Sequence, residues 1–250
     1  MTSIYYIGKN GDLVVNGFPD QVSTGGLTDG NKGNVIGRGW DFVQVFATDG
    51  VIYAIAASGD LLIYIRRSGN WIVSGRKVGH GWNFPQVFSG DKGAIYAITP
   101  SGDMLFYKLD VDSIVADQGA APIWLIDGVK IGNSWNFKQV FAGSFGSVFG
   151  IMPNGDLLEY GHGGYEATSA RDAGTWGSQA VKVGNSWDFP LVLGGDYGSI
   201  FAMQSNGDLL YYLQGGVRST STRGWLVQAQ LIGTGWNGKK QLFTDHLARR

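Results

Sequence analysis

The stretch "KVGHGWNFPQVFSGDKGAIYAITPSGDMLFY", Lys77–Tyr107, decides the reading of the fold. From Phe84, "FPQVFSG" alternates and is rich in aromatic and β-branched residues. "AIYAIT" follows after a glycine, and "SGD" at Ser101 turns the chain into "MLFYKL". These read as three antiparallel strands. Beyond a loop, "IWLIDGVKIG" offers a fourth, bracketed by Trp124 and Ile131.

The same pattern recurs along the chain. Trp82 has counterparts in Trp40, Trp135, Trp187 and Trp236, at a spacing of roughly 50 residues. The turn of the second pair of strands returns as "SGDLLIY" at Ser58, "NGDLLEY" at Asn154 and "NGDLLYY" at Asn206. Trp71, Trp124, Trp176 and Trp225 each stand seven residues before the Val or Ile that precedes the next glycine. All nine tryptophans therefore fall on two positions of the repeat. Four strands per repeat make a propeller blade.

The ends complete the pattern. After Trp236 the chain offers a first strand, "KKQLF", whereas "SIYYIGKNGDLVV" from Ser3 reads as a second strand, a turn and a third strand. Complementary half-repeats belong to a closed ring, because pairing them removes two sheet edges. The expectation is an all-β, five-bladed β-propeller with four antiparallel strands per blade. Its blades cover about 41–80, 83–132, 136–184, 188–233 and, at the seam, 237–250 with 1–37. The seam pairs Gln241–Phe243 with Ile4–Val15. No segment keeps apolar residues at helical spacing, and glycines interrupt every candidate.

Composition narrows the function. In 250 residues there are 19 Lys and Arg against 20 Asp and Glu, scattered along the chain, so no field draws phosphate backbones and nucleic acid is not an expected partner. The absence of cysteine excludes disulfides and thiolate chemistry. No apolar run is long enough for membrane insertion, and the start lacks a signal-peptide pattern. A cytoplasmic protein, or one secreted without a classical signal, is expected, as a monomer. Forty-one glycines against six prolines indicate tight turns rather than disorder.

Recurring residues divide into scaffold and site. Asp12, Asp60, Asp103, Asp156 and Asp208 follow glycines in a pattern that suits two-residue hairpin turns better than a calcium loop, which needs several oxygen ligands at close spacing. Phe46, Tyr53, Phe88, Tyr96, Phe141, Phe149 and Phe201 alternate along strands and read as core. The pairs Trp40-Asp41, Trp82-Asn83, Trp135-Asn136, Trp187-Asp188 and Trp236-Asn237 lie in connections just outside the first strands, where function concentrates. An indole face beside fixed acceptors suits a sugar ring. The alternative is that Trp wedges neighbouring blades and Asn or Asp braces the turn. At the seam, Asp29 replaces the outer Trp, and Trp236-Asn237 is followed by Gly238 and Lys239.

Catalysis finds little support. His80, His162 and His246 occupy no repeated place and adjoin no second ligand in sequence, and neither a phosphate loop nor HExxH occurs. No metal or cofactor is expected. Repeated candidate residues favour binding over an enzyme, although paired carboxylates converging across blades would make a glycan-cleaving propeller.

The pattern "KxIGxxWxFxxVFxxxxGxIYAIxxxGDLLYY" resembles the tachylectin-2 family of five-bladed β-propeller lectins, over almost the whole chain. The resemblance implies metal-free pockets between adjacent blades for N-acetylglucosamine or N-acetylgalactosamine, and glycans bearing N-acetylhexosamine as partners. It implies that Trp82 and Asn83 with His80, and their counterparts, contribute to such pockets. It also brings in an outer Trp of the preceding blade, such as Trp71 for Trp82, and so the set Trp71, Trp124, Trp176 and Trp225. The position two before each inner Trp varies, as Arg38, His80, Asn133, Asn185 and Thr234, which implies unequal pockets. A propeller serving as a protein-interaction platform is the rival reading.

Overall fold

The computed structural model describes residues 2–17, 28–30, 32–215 and 224–246. Of the expected closing blade, residues 1, 18–27, 31 and 247–250 lie outside the described residues. The chain opens with β1 (Ser3–Ile7), β2 (Leu13–Gly17), β3 (Thr28–Asp29) and β4 (Asn34–Gly37). Next come β5 (Gln44–Thr48), β6 (Val51–Ile55), β7 (Leu61–Arg67) and β8 (Asn70–Gly79). The third group is β9 (Gln86–Ser89), β10 (Ala94–Ile98), β11 (Met104–Leu109) and β12 (Trp124–Gly132). It is followed by β13 (Gln139–Ala142), β14 (Ser147–Ile151), β15 (Leu157–His162) and β16 (Trp176–Gly184). The last are β17 (Leu191–Gly194), β18 (Ser199–Met203), β19 (Leu209–Gly215), β20 (Gly224–Thr234) and β21 (Gln241–His246). The strands pair antiparallel in groups of four, the arrangement of a β-propeller; two groups stand as separate four-stranded sheets, while a short parallel pairing of β21 with β5 joins β4-β2-β1-β21 to β5–β8, and β3 adds in parallel to the edge of β17–β20.

One helical turn departs from the sequence expectation. In the β11–β12 loop, α1 (Val111–Ala116) forms because the Asp110 carboxylate accepts from the Ser113 amide (3.2 Å) and caps the turn. A capped single turn needs no long apolar periodicity, which is why the pattern missed it.

The Gly-Asp turns also differ from expectation. Gly59 N–H donates to Ala56 O and Ala56 N–H to Asp60 O, each at 2.9 Å, so the loop has three residues, Ala57 to Gly59. This is a type I turn closed by a left-handed residue, and Gly59 supplies that conformation at φ 78°. A two-residue hairpin turn needs positive φ at its first central position, and in one type at both, which neither Ala57 nor Ser58 adopts.

The termini meet in one sheet. β21 pairs antiparallel with β1, from Ser3↔Asp245 to Ile7↔Gln241, and β1 pairs with β2, which carries β4 on its outer edge. The seam has the same interior as three of the other strand groups: Tyr5 stacks on Phe243 (5.2 Å, 7°), as Phe46 does on Tyr53, Phe88 on Tyr96 and Phe141 on Phe149, whereas Leu193 faces Phe201 in the fourth. The expected aromatic core is thus buried, each pair worth about 1 kcal/mol beyond its burial.

First strands are tied around a common space. Gln139 Nε2 donates to Phe189 O (2.8 Å) while its Oε1 accepts from Val192 N–H (3.0 Å), and Gln241 does the same with Phe42 O (2.9 Å) and Val45 N–H (2.7 Å). Gln44 reaches Val87 O, and Gln86 accepts from Val140 N–H at 3.3 Å. The fourth such position is Leu191, and there Thr244 Oγ1 donates to Gly194 O (2.6 Å) instead. β5, β9, β13, β17 and β21 together line one cavity of about 480 Å³. Among the described residues no helix is long and apolar enough to cross a membrane.

His162 reports on this packing. It is 1% exposed, with Nδ1 2.9 Å from the Tyr96 hydroxyl and Nε2 2.7 Å from Ala173 O. A neutral ring accepting at Nδ1 and donating at Nε2 satisfies both contacts. Burial holds its pKa below the ordinary 6.5. The unfolded chain binds this proton first, so the contribution of His162 is complete above pH 6.5 and is lost as pH falls through and below it. Asp245, pushed up to about 7 by burial, titrates with the opposite sign, so a difference between proteins is the proper readout. The stability advantage of the native chain over His162→Gln, measured by urea unfolding, is expected to shrink between pH 7.5 and pH 5; a constant difference contradicts this assignment.

Candidate functional site: aromatic clefts between neighbouring sheets

Each of the first four inner tryptophans heads an aromatic triad. Trp82 packs on Tyr107 (4.6 Å between centroids) and stacks on Trp124 (5.8 Å, 27°). Trp135 meets Tyr160 (4.7 Å) and Trp176 (5.6 Å, 26°). Trp40 meets Tyr64 and Trp71, and Trp187 meets Tyr212 and Trp225, with similar geometry. Phe42, Phe84, Phe137 and Phe189 close the edge of each inner indole. The tyrosines Tyr64, Tyr107, Tyr160 and Tyr212 end the segment that follows each Gly-Asp turn, a place the sequence reading does not assign to the site. Their recurrence at that position was the available signal.

Backbone chemistry fixes the geometry. The N–H of Trp40, Trp82, Trp135, Trp187 and Trp236 donates to the glycine carbonyl of the preceding turn, Gly11, Gly59, Gly102, Gly155 and Gly207, at 2.8 to 3.0 Å. Each outer indole Nε1 donates to the neighbouring sheet: Trp71 to Ile36 O (3.2 Å), Trp124 to Val78 O (3.0 Å), Trp176 to Ile131 O (2.6 Å) and Trp225 to Val183 O (2.8 Å). The outer Trp beside Trp82 is therefore Trp124, from the following repeat, and not Trp71, which belongs with Trp40. The connection carrying the inner Trp leaves one outer strand and packs on the sheet that comes next.

Burial separates the two sets. Trp82 is 5% exposed and the other inner indoles are equally covered, so they form the floor, while the outer indoles are half-buried. A cleft of about 480 Å³ is lined by Trp82, Tyr107, Trp124, His80, Lys77 and Asp127. One of about 270 Å³ is lined by Trp135, Tyr160, Trp176, Asn133, Ser134 and Gln179. The position two before the inner Trp reaches both clefts, as His80 and Asn133. Arg38 is exposed and lies 4.0 Å from Asp12, and Asn185 Oδ1 accepts from Ser186 Oγ at 3.4 Å.

The residue after each inner Trp goes elsewhere. Asn83, Asn136 and Asn237 pack on Gly59, Gly102 and Gly207, so closely that a Cβ on those glycines would fall 2.9, 2.7 and 2.6 Å from the Asn Oδ1. Asp41 pairs with Lys240 (3.2 Å) and Asp188 with Lys138, which holds the Asp188 carboxyl below the usual range. None of these side chains lines the two clefts. The bond from the Trp amide to the turn brings the next side chain over that turn, so it braces the scaffold.

Among the described residues, the position at Trp236 lacks the aromatic triad. Asn16 stands where the other repeats have Tyr, Asp29 where they have the outer Trp, and Gly238 where they have Phe. β3 pairs in parallel with the end of β20, and Gly30 N–H donates to Thr234 O at 2.7 Å. A Cβ on Gly30 would lie 2.9 Å from the Trp236 ring, so this backbone lies against the indole, which is fully buried.

The ionisable groups divide similarly. Lys77 Nζ meets Asp60 at 2.7 Å, Lys130 meets Asp103 at 2.8 Å and Lys182 meets Asp156 at 2.7 Å, across the outer strands. These ammonium groups hold the Asp60 and Asp156 carboxyls below their usual range. The recurring carboxylates are thus turn and strand braces. His246, in contrast, has carboxylates beside it that the sequence did not place there: its imidazole and the carboxylates of Asp91 and Asp196 bring three ligand atoms within 4.8 Å of one another. The three residues come from different repeats, so linear spacing could not bring them together.

Close packing on the inner indole makes Gly79 obligatory, because a Cβ there would lie 2.6 Å from Trp82 Nε1. Gly37, Gly132 and Gly184 abut Trp40, Trp135 and Trp187 in the same way. Gly79→Ala is expected to cost about 1–3 kcal/mol by overpacking. Gly174→Ala, with nothing within 4 Å of its Cβ, stays within about 0.5 kcal/mol. Urea unfolding of the two variants checks this, and equal stabilities contradict it.

Comparison with known proteins agrees with this architecture. No curated protein matches the sequence. A solved chain described by the words "The de novo evolutionary emergence of a symmetrical protein is shaped by folding constraints" is similar over 100% of both chains, at 17% identity and a TM-score of 0.61. The SapL1 lectin, solved with alpha methyl fucoside, aligns with 90% of this chain and 78% of its own, at 15% identity and a TM-score of 0.45. The Tachylectin family model matches residues 7–171 and 112–248. The chain belongs to the Tachylectin family.

Proposed function

We propose that the protein is a multivalent lectin, a closed ring of five blades that binds N-acetylated sugars such as N-acetylglucosamine or N-acetylgalactosamine in clefts between neighbouring blades. The observation that carries this reading is the fourfold recurrence of inner Trp, Tyr and half-exposed outer Trp at one place in the repeat. A pyranose lays the C–H groups of one face on an aromatic plane, while side chains and backbone groups at the rim bond its hydroxyls and amide. His80, Lys77 and Asp127 offer charged and titratable partners in one cleft, whereas Asn133, Ser134 and Gln179 offer neutral ones in the next. The clefts therefore differ in sugar preference. Four working sites are proposed, because the Gly30 backbone takes the corresponding place at Trp236.

No chemical step is assigned to the site. A single shallow pocket of millimolar affinity corresponds to about −4 kcal/mol. Several on one rigid ring raise avidity for clustered glycans by roughly 10²- to 10⁴-fold. Discrimination then favours dense glycan surfaces over free sugar.

Calorimetry with N-acetylglucosamine, N-acetylgalactosamine and a chitooligosaccharide tests the reading. Stoichiometry is expected above one and no higher than four per chain, and the Trp124→Ala, Trp176→Ala double variant is expected to lose two sites while keeping its β-sheet circular dichroism. Absence of binding to every N-acetylhexosamine ligand, or a stoichiometry of one, contradicts it.

A further inference from the structure

At the ends of the first strands, away from the aromatic clefts, three side chains from separate repeats converge. Asp91 lies in the tight turn Asp91–Gly93, Asp196 in the equivalent turn Asp196–Gly198, and His246 ends β21. Asp196 and His246 are buried, and the Asp91 side chain is 13% exposed. Asp91 Oδ2 accepts from the Phe145 amide, which turns Oδ1 towards His246 Nδ1, 3.6 Å away. At that separation Nδ1 has no hydrogen-bond partner among the described residues, although His246 is only 2% exposed. Leaving a buried ring nitrogen unsatisfied costs stability unless something else engages it.

We infer that Asp91, Asp196 and His246 form a binding site for one first-row divalent cation, at the end of the ring where the second and fourth repeats meet the carboxyl-terminal strand. A tetrahedral ion with bonds of about 2.1 Å needs ligand atoms about 3.4 Å apart. The 3.6 Å from Nδ1 to Oδ1 is already close to that, and the full set lies within 4.8 Å. One imidazole with two carboxylates selects zinc, manganese or cobalt over calcium or magnesium, which prefer oxygen alone. Three protein ligands leave a position for water. A metal is bound by the neutral imidazole through its ring lone pair, and Nδ1 is the ring nitrogen left without a hydrogen-bond partner among the described residues.

Such an ion would staple two distant turns to the strand that closes the seam. This inference does not depend on the sugar reading, since the cluster shares no residue with the clefts at Trp82 and Trp135.

The test uses the full chain, stripped with EDTA and exchanged into chelator-free buffer. Calorimetric titration with zinc and manganese, and the visible spectrum on adding cobalt, are expected to report one ion per chain and a raised melting temperature. Asp91→Asn and His246→Gln are each expected to weaken binding by about tenfold or more. If His246→Gln fails to fold, the less buried Asp91→Asn variant and the cobalt spectrum of the native chain decide alone. No binding of any of the three metals by the native chain, or binding that folded Asp91→Asn retains undiminished, overturns the inference.

Discussion

The antiparallel pairing of Ser3–Ile7 with Gln241–Asp245 is the constraint on which the rest depends. It joins residues from opposite ends of the chain, so the entropy of closing that loop must be met by contacts formed at the seam itself. Those contacts match the ones inside the other sheets: the same first-to-second strand ladder, the same flat aromatic pair in Tyr5 and Phe243, and the Gln241 clamp onto the next first strand. Closure also brings Trp40 against Tyr64 and Trp71, because the connection holding Trp40 leaves the seam sheet and lands on its neighbour.

The aromatic clefts follow from repetition of two local bonds. The inner Trp amide is fixed to the previous turn, and the outer indole N–H to the previous outer strand. With both ends tied, the two rings and the tyrosine between them have little freedom, so the half-exposed outer face is organised before any ligand arrives. Preorganisation of this kind reduces the ordering cost of binding. Variation is left to the rim, where His80 gives way to Asn133 and Asp127 to Gln179.

Much of this was legible in the sequence because the strands alternate with period two and the nine tryptophans mark the register. The seam followed from complementary half-repeats, and the weakness of the fifth position from Asp29 and Gly238. What could not be read was direction. Nothing in "WN" or "WD" tells whether the polar side chain faces the cleft or the turn; the hydrogen bond from the Trp amide to the turn glycine decides it. Nor does the sequence place Trp71 with Trp40 rather than Trp82, since that depends on which sheet the connection joins next. The β3–β20 pairing that lays Gly30 on Trp236, and the convergence of Asp91, Asp196 and His246, unite segments far apart in the chain. Neither has a linear signature.

The central claim is that ring closure generates equivalent clefts fitted to a sugar ring, with the seam copy excluded. A crystal of the protein soaked in N-acetylglucosamine tests it most directly. The account predicts pyranose density against the outer indoles, including Trp124 and Trp176, and none at Trp236. Sugar bound only at the loops, or density over Trp236 with empty clefts at Trp124 and Trp176, would contradict it.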